Sequence, residues 1–199
     1  MTREKGFTLI ELAVVLAIIA VLAAILTPLV SNYLDQARVT RAQADVRTMA
    51  DAVKLYQRDT GRYPIYDSSA GYPNTVGDGT RNIFGTSSGS APTQGAVNWN
   101  LGAVLATTTL DAYLNNNYSG PSGNAPFPKA AFRGPYLGSV DSDPWGNKYL
   151  LTAVNLAPNN SNHAFVLSAG PDGRTDTALT QGTGAPLVTG GDDVVSVIK

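Results

Sequence analysis

The sequence predicts an α+β fold, with one long N-terminal helix packed on a small C-terminal antiparallel β-sheet. Three observations predict it. Twenty residues from Phe7 to Leu26 are apolar or small except Thr8 and Glu11. An apolar stripe at helical spacing follows them directly. From Tyr136 onward, short apolar runs alternate with clusters of turn residues.

The first stretch is long enough to cross a bilayer, since twenty helical residues rise about 30 Å. No charge lies between Glu11 and Asp35, which sets aside a soluble core helix. A cleaved secretory signal would carry polar small-residue chemistry at the far end of the apolar run. Here the run flows into a second helical pattern instead. Arg3 and Lys5 precede the span and place the N-terminus in the cytoplasm by the positive-inside rule. Val39, Ala42, Val46, Met49, Val53 and Tyr56 step by three and four, so one face of the following helix is apolar. Gly61 and Pro64 end it. Residues 7–30 therefore read as the membrane half and residues 31–63 as the amphipathic half of one helix. Pro28 removes a backbone bond to the Ala24 carbonyl, so a kink or local melting is expected there.

Residues 64–135 are rich in Gly, Ser, Asn, Thr and Pro. Within them Trp99–Leu114 reads as one short helix, with Leu101, Val104, Leu105 and Leu110 on a face. In residues 136–199, KYLLTAV (148–154), HAFVLSA (163–169) and VVSVI (194–198) read as strands, the first two joined by the hairpin loop NLAPNNSN. DSDPWGN (141–147) reads as a turn, with Pro144 at its second position, Gly146 and Asn147 at its exit, and Trp145 anchoring it on the sheet.

Composition excludes several function classes. Net charge is −1, so no broad basic surface for nucleic acid is expected. There is no cysteine, which removes disulfides, thiol nucleophiles and cysteine zinc sites. His163 is the only histidine, and no G-x-S-x-G, P-loop or G-x-G-x-x-G motif accompanies it. The expectation is that the chain is not an enzyme. Two polar features stand out. One is Glu11, a carboxylate near the start of a membrane helix, where a charge is costly unless paired. The other is GPDG (170–173) with Asp176, Asp192 and Asp193, an aspartate-rich segment without the EF-hand pattern. Its plain reading is Asp-Gly turn chemistry; its other reading is an oxygen-rich calcium loop.

KGFTLIE followed by the apolar run resembles the prepilin leader and N-terminal segment of type IV pilins and type II secretion pseudopilins. YQRDTGRYP, GPYLGSVDSDPWGNKYLL, and LSAGPDG with a late DD are similar to the major pseudopilin family of type II secretion. This resemblance implies that residues 1–6 are a leader and that a membrane prepilin peptidase cuts after Gly6 and methylates the new N-terminus at Phe7. It implies a pilin-like fold and a homopolymeric helical filament assembled through the N-terminal helices. An inner-membrane assembly platform and minor pseudopilins would be its partners. It further implies a single-pass inner-membrane precursor with a periplasmic C-terminal domain.

Glu11 would then pair with the Phe7 amine of a neighbouring subunit, two buried charges costing less together than apart. The alternative is a carboxylate satisfied by the first amides of its own helix. The resemblance also implies a structural Ca²⁺ ion held by Asp172, Asp192, Asp193 and the Ala169 carbonyl. The long insert RTDTALTQGTGAPLVTGG departs from the family's shorter loop at that point. Two other readings stay open. One is a type IV pilin for adhesion or motility, which the lack of a cysteine pair disfavours. The other is a signal-anchored periplasmic binding protein that never polymerises, for which Glu11 has no use.

Overall fold

Leu9–Thr60 form one α-helix, α1. Gly61, in the left-handed region at φ 75°, closes it by donating its N–H to the Gln57 carbonyl at 2.8 Å, the usual glycine stop. The computed structural model describes residues 6–64, 83–95, 99, 109–116, 131–157 and 160–199. The local melting that Pro28 could cause does not occur; it lies inside a continuous helix. One missing backbone bond is a small loss among those of a 52-residue helix. The Thr27 hydroxyl, one residue earlier, donates to the Ala23 carbonyl at 2.7 Å and occupies a neighbouring acceptor.

The chain divides into two units, one ending at Arg38 and the other spanning Val39–Lys199. In the first, every described residue from Gly6 to Arg38 is exposed. In the second, the helical stripe is the core face: Ala42, Val46, Met49, Val53 and Tyr56 are buried and Val39 packs beside them.

That face meets a four-stranded antiparallel sheet of order β1-β3-β4-β6, formed by β1 (Phe84–Gly85), β3 (Leu150–Leu151), β4 (Phe165–Ser168) and β6 (Val194–Val197). A parallel pair, β2 (Thr93–Gln94) with β5 (Arg174–Thr175), stands apart from it. β1 and β2 pair with strands beyond residue 136, so residues 83–95 belong to the same folded unit as the C-terminal sheet. Of the helix expected over Trp99–Leu114, the part from Leu110 forms α2 (Leu110–Asn115); Leu101, Val104 and Leu105 lie outside the described residues. The expected strand 148–154 is only two residues long, because Ala153–Leu156 turn into a 3₁₀ segment.

An antiparallel sheet with one wet face alternates apolar and polar residues. This one does not: all four residues of β4 are buried. Leu151 and Val166 face the cluster that contains α1. Leu150, Phe165 and Leu167 face a second cluster with Ile83, Trp99, Ala169, Leu179 and Leu187. The long insert is therefore a layer. It covers the sheet face opposite α1, and hydrogen bonds fix it along its length. Trp99 donates its indole N–H to the Thr177 carbonyl at 2.7 Å. The buried Asn155 amide donates to the His163 and Leu179 carbonyls at 2.7 and 2.8 Å. Gln181 brackets Val188, donating to its carbonyl at 2.7 Å and accepting its N–H at 2.8 Å.

Candidate functional site

Two separate places carry the polar features singled out in the sequence. The first is the start of α1. Thr8 is its N-cap, and Glu11 is the third helical residue. The Thr8 N–H and hydroxyl both donate to Glu11 Oε2, at 2.8 and 2.9 Å. The Glu11 N–H returns to Thr8 Oγ1 at 3.3 Å. This is a capping box, in which two helix-start amides are satisfied reciprocally. Within one chain, then, Glu11 is held by its own helix start. Phe7 precedes the helix and is 93% exposed, and nothing packs against the Cα of Gly6. The basic residues Arg3 and Lys5 lie outside the described residues.

The second place is the junction of β4, the insert and β6. Ala169 is fully buried at the end of β4. Asp172 sits on the exposed turn 170–173, where Gly170 and Gly173 adopt φ of 64° and 67°. A side chain at Gly170 would collide with the Asp192 backbone and carboxylate, so the two loops touch there. Asp192 Oδ2 accepts the Asp172 N–H at 3.2 Å, and Asp172 Oδ1 accepts the Arg174 N–H at 2.8 Å. Burial raises the Asp192 carboxyl above the usual range, and the neighbouring Asp172 charge adds to the shift.

Asp193 points elsewhere. Its Oδ2 accepts the N–H groups of Asp176 and Thr177 at 2.9 and 2.6 Å. Its Oδ1 is buried without a hydrogen-bond partner. Burial pushes this carboxyl up to about 6, against the lowering effect of the bonds from Thr177 and Asp176. The structure thus brings Asp172 and Asp192 together and turns Asp193 toward the insert. Among the described residues, no three acidic or histidine side chains converge closely enough to hold an ion.

Sequence reasoning missed two participants. Thr8 was legible, because T-x-x-E before an apolar run is the capping-box signature. Asp143 was partly legible, as an aspartate opening a Pro-Trp-Gly turn. It is 2% exposed, and its Oδ1 accepts the Trp145 and Asn147 N–H groups at 3.0 and 2.7 Å.

Comparison with known proteins adds the following. The prokaryotic N-terminal methylation motif matches residues 1–27. The family model for type II secretion system protein G matches residues 29–71 and 107–183. The type II secretion system core protein G of Pseudomonas aeruginosa is 30% identical over 172 residues, 86% of this chain and 87% of that protein. The Escherichia coli core protein G is 27% identical over 175 residues, covering 88% and 87% of the two chains. A type IV major pilin protein of Neisseria gonorrhoeae is 38% identical over 77 residues, 39% of this chain and 47% of the pilin. No solved structure matches the chain. Likeness to the pilin thus spans a minority of the chain, whereas likeness to core protein G spans nearly all of it, and the chain belongs to the type II secretion system protein G family.

Proposed function

We propose that this chain is the major pseudopilin of a type II secretion system, a filament subunit stored in the inner membrane and polymerised through its N-terminal helix. The observation that carries the reading is the wholly uncovered apolar helix from Leu9 to Leu34, every residue of which is exposed in the single chain. A helix apolar on all sides needs lipid or other copies of itself around it, and a subunit moving from membrane to filament uses both in turn. The helix is long and apolar enough to cross a membrane. Arg3 and Lys5 hold the leader in the cytoplasm, and the domain from Val39 onward lies in the periplasm. A prepilin peptidase cuts between Gly6 and Phe7 and methylates Phe7. An inner-membrane platform then adds subunits to the growing filament beneath minor pseudopilins. Mass spectrometry of assembled filaments is expected to find residues 1–6 absent and a methylated Phe7 amine. An intact Met1 in filaments overturns this reading.

The same reading gives the C-terminal junction a Ca²⁺ ion. The donors are all oxygens, as a hard cation prefers, but they do not converge in the single chain: Asp172 meets Asp192, while Asp193 is held by the Asp176 and Thr177 amides, so an ion would need Asp193 to turn. Asp172, Asp192, Asp193 and the Ala169 carbonyl would hold the ion, which would supply positive charge between the two loops. The ion does not have to close the insert, since the insert's own leucines and hydrogen bonds hold it on the sheet.

A pH dependence follows. The usual aspartate value is 3.8, and the folded Asp193 carboxyl titrates at about 6. A raised folded value favours the protonated, folded form, so this contribution is present below pH 4 and lost as pH rises through 6. In chelator, the melting temperature is expected to fall over that window, by an amount smaller in Asp193→Asn. Ca²⁺ is expected to restore it at neutral pH, by about 2.7 kcal/mol at a hundredfold excess over Kd. Mg²⁺, which demands small octahedral sites, is expected to substitute poorly. Superimposable melts with Ca²⁺ and with EGTA return these aspartates to ordinary turn chemistry.

A further inference from the structure

We propose that His163 is a proton-operated clasp: when protonated, its ring ties the strap 182–188 of the insert to the end of β6, and when neutral it lets one of the two ties go. The ring stands between two elements that are distant in sequence. Its Nε2 lies 2.8 Å from the Ala185 carbonyl oxygen, and its Nδ1 lies 3.3 Å from the main-chain oxygen of Lys199. Both oxygens can only accept. A neutral imidazole carries one N–H, whereas the imidazolium carries two. The neutral ring therefore bonds one side and turns a lone pair to the other, and only the charged ring bonds both. The backbone of His163 holds the ring in this place. Its N–H donates to the Gln181 carbonyl at 2.7 Å, and its carbonyl accepts the Asn155 amide at 2.7 Å.

The strap is exposed apart from Leu187, which packs on the cluster of Leu150, Phe165 and Leu167. Thr183 donates its N–H to the Ser161 carbonyl at 2.8 Å, and Gln181 holds the far end at Val188. The ring takes hold between these two points, at Ala185. A loosened strap lifts Leu187 from the outer face of β4. Few charges surround the ring. His163 is the only titratable residue in 150–171, and 177–191 contain none, so the 3₁₀ segment, the hairpin loop, β4 and the strap present no charge to it. The end of β6 brings Lys199, a like charge. Its ammonium donates to the Asn155, Ala157 and Asn160 carbonyls at 3.2, 3.0 and 2.7 Å, which takes up all three of its N–H groups. Protonation of the ring adds a bond, so the clasp is complete on the acid side. It opens as pH rises through the range, about 5 to 8, in which imidazoles change charge. The clasp depends neither on assembly nor on a metal ion.

The test compares amide hydrogen exchange in the full-length chain in detergent with that in His163→Gln, each pair at the same pH. Glutamine carries no charge at either pH and stands in for the neutral ring. At about pH 5 the amides of 182–188 are expected to exchange about threefold faster or more in the variant, the worth of one hydrogen bond. At about pH 8 the two chains are expected to exchange alike. Gln181→Ala, which loses both bonds to Val188, is expected to speed strap exchange by one factor at both pH values. If His163→Gln does not fold, the wild type alone decides. The chain has one histidine, so the nitrogen NMR signals of its imidazole report the charge of this ring alone. Strap protection, relative to the intrinsic exchange rate, is expected to fall with the midpoint that those signals give. A ratio between wild type and His163→Gln that is the same at both pH values, or strap protection that holds steady while the ring titrates, overturns the proposal.

Discussion

Glu11→Leu is expected to enter the membrane at least as well as the wild type and to form no filament. In the single chain the carboxylate already has partners, Thr8 N–H and Oγ1, so its removal costs a capping interaction of about 1 kcal/mol. The same change relieves the insertion penalty of a charge, which reaches roughly 2.5–3.5 kcal/mol at a helix centre and less near an end. The balance for the monomer is near zero or favourable. For the filament it is not: in the proposed assembly Glu11 pairs with the Phe7 amine of the next subunit, and that amine would then stand in an apolar interior with no counter-charge. Breaking one member of a buried pair costs about 3–5 kcal/mol, and a filament repeats that loss at every contact. Glu11→Gln separates the two roles. Glutamine serves a capping box as well as glutamate does, yet carries no charge for the amine. Sheared fractions are expected to lack filaments in both variants; normal filaments in Glu11→Gln show that capping alone is what matters there.

Phe165→Ala is expected to give the largest stability loss of any single truncation in the sheet. Phe165 is fully buried in the centre of the sheet, with its ring edge-on to Trp99 at 5.9 Å between centroids. Truncating a buried phenylalanine costs about 3–5 kcal/mol, a large part of a typical domain's 5–15 kcal/mol. For a chain of this size the melting temperature is expected to drop on the order of 10 °C. Val197→Ala, on the sheet edge and 40% exposed, is expected to change it by no more than a degree or two. Comparable losses at the two positions contradict a core built on both faces of β4.

Much of this was readable from residue order because the signals are long. Twenty apolar residues, and a stripe stepping by three and four from Val39 to Tyr56, each sum many weak preferences in one direction. β4 and β6 were legible for the same reason. The two-residue strands β1, β2 and β5 were not, since two residues carry no period and their pairing is decided by partners up to about 80 positions away. The insert looked like a loose loop because glycine and threonine dominate it. Its two working residues, Leu179 and Leu187, have no periodic company, and only the fold shows the sheet face they cover. At Pro28 only the expected melting failed, because a long helix absorbs a single missing backbone bond. At the candidate site, the aspartates were visible as residues. Which of them meet was not, because the side-chain directions of Asp192 and Asp193 depend on backbone amides twenty and seventeen positions earlier.

The two-sided burial of β4 has a consequence for how the chain reaches its folded form. Synthesis proceeds from the N-terminus, so α1 is present before the strands it will cover. The strands Leu150–Leu151 and Phe165–Ser168 emerge next, with one face sheltered and the other covered only in part, by Ile83 and Trp99. The rest of that cover, Leu179 and Leu187, and the strands' last neighbour, β6, are encoded after Ala169. Until those final thirty residues emerge, Leu150, Phe165 and Leu167 form a partly covered apolar strip beside an unpaired strand edge, the arrangement that invites chains to join one another. An anchor that keeps each emerging domain tethered to its own patch of membrane limits such encounters. A transcript cut short after Ala169 is expected to leave clumped or degraded product rather than a smaller working subunit.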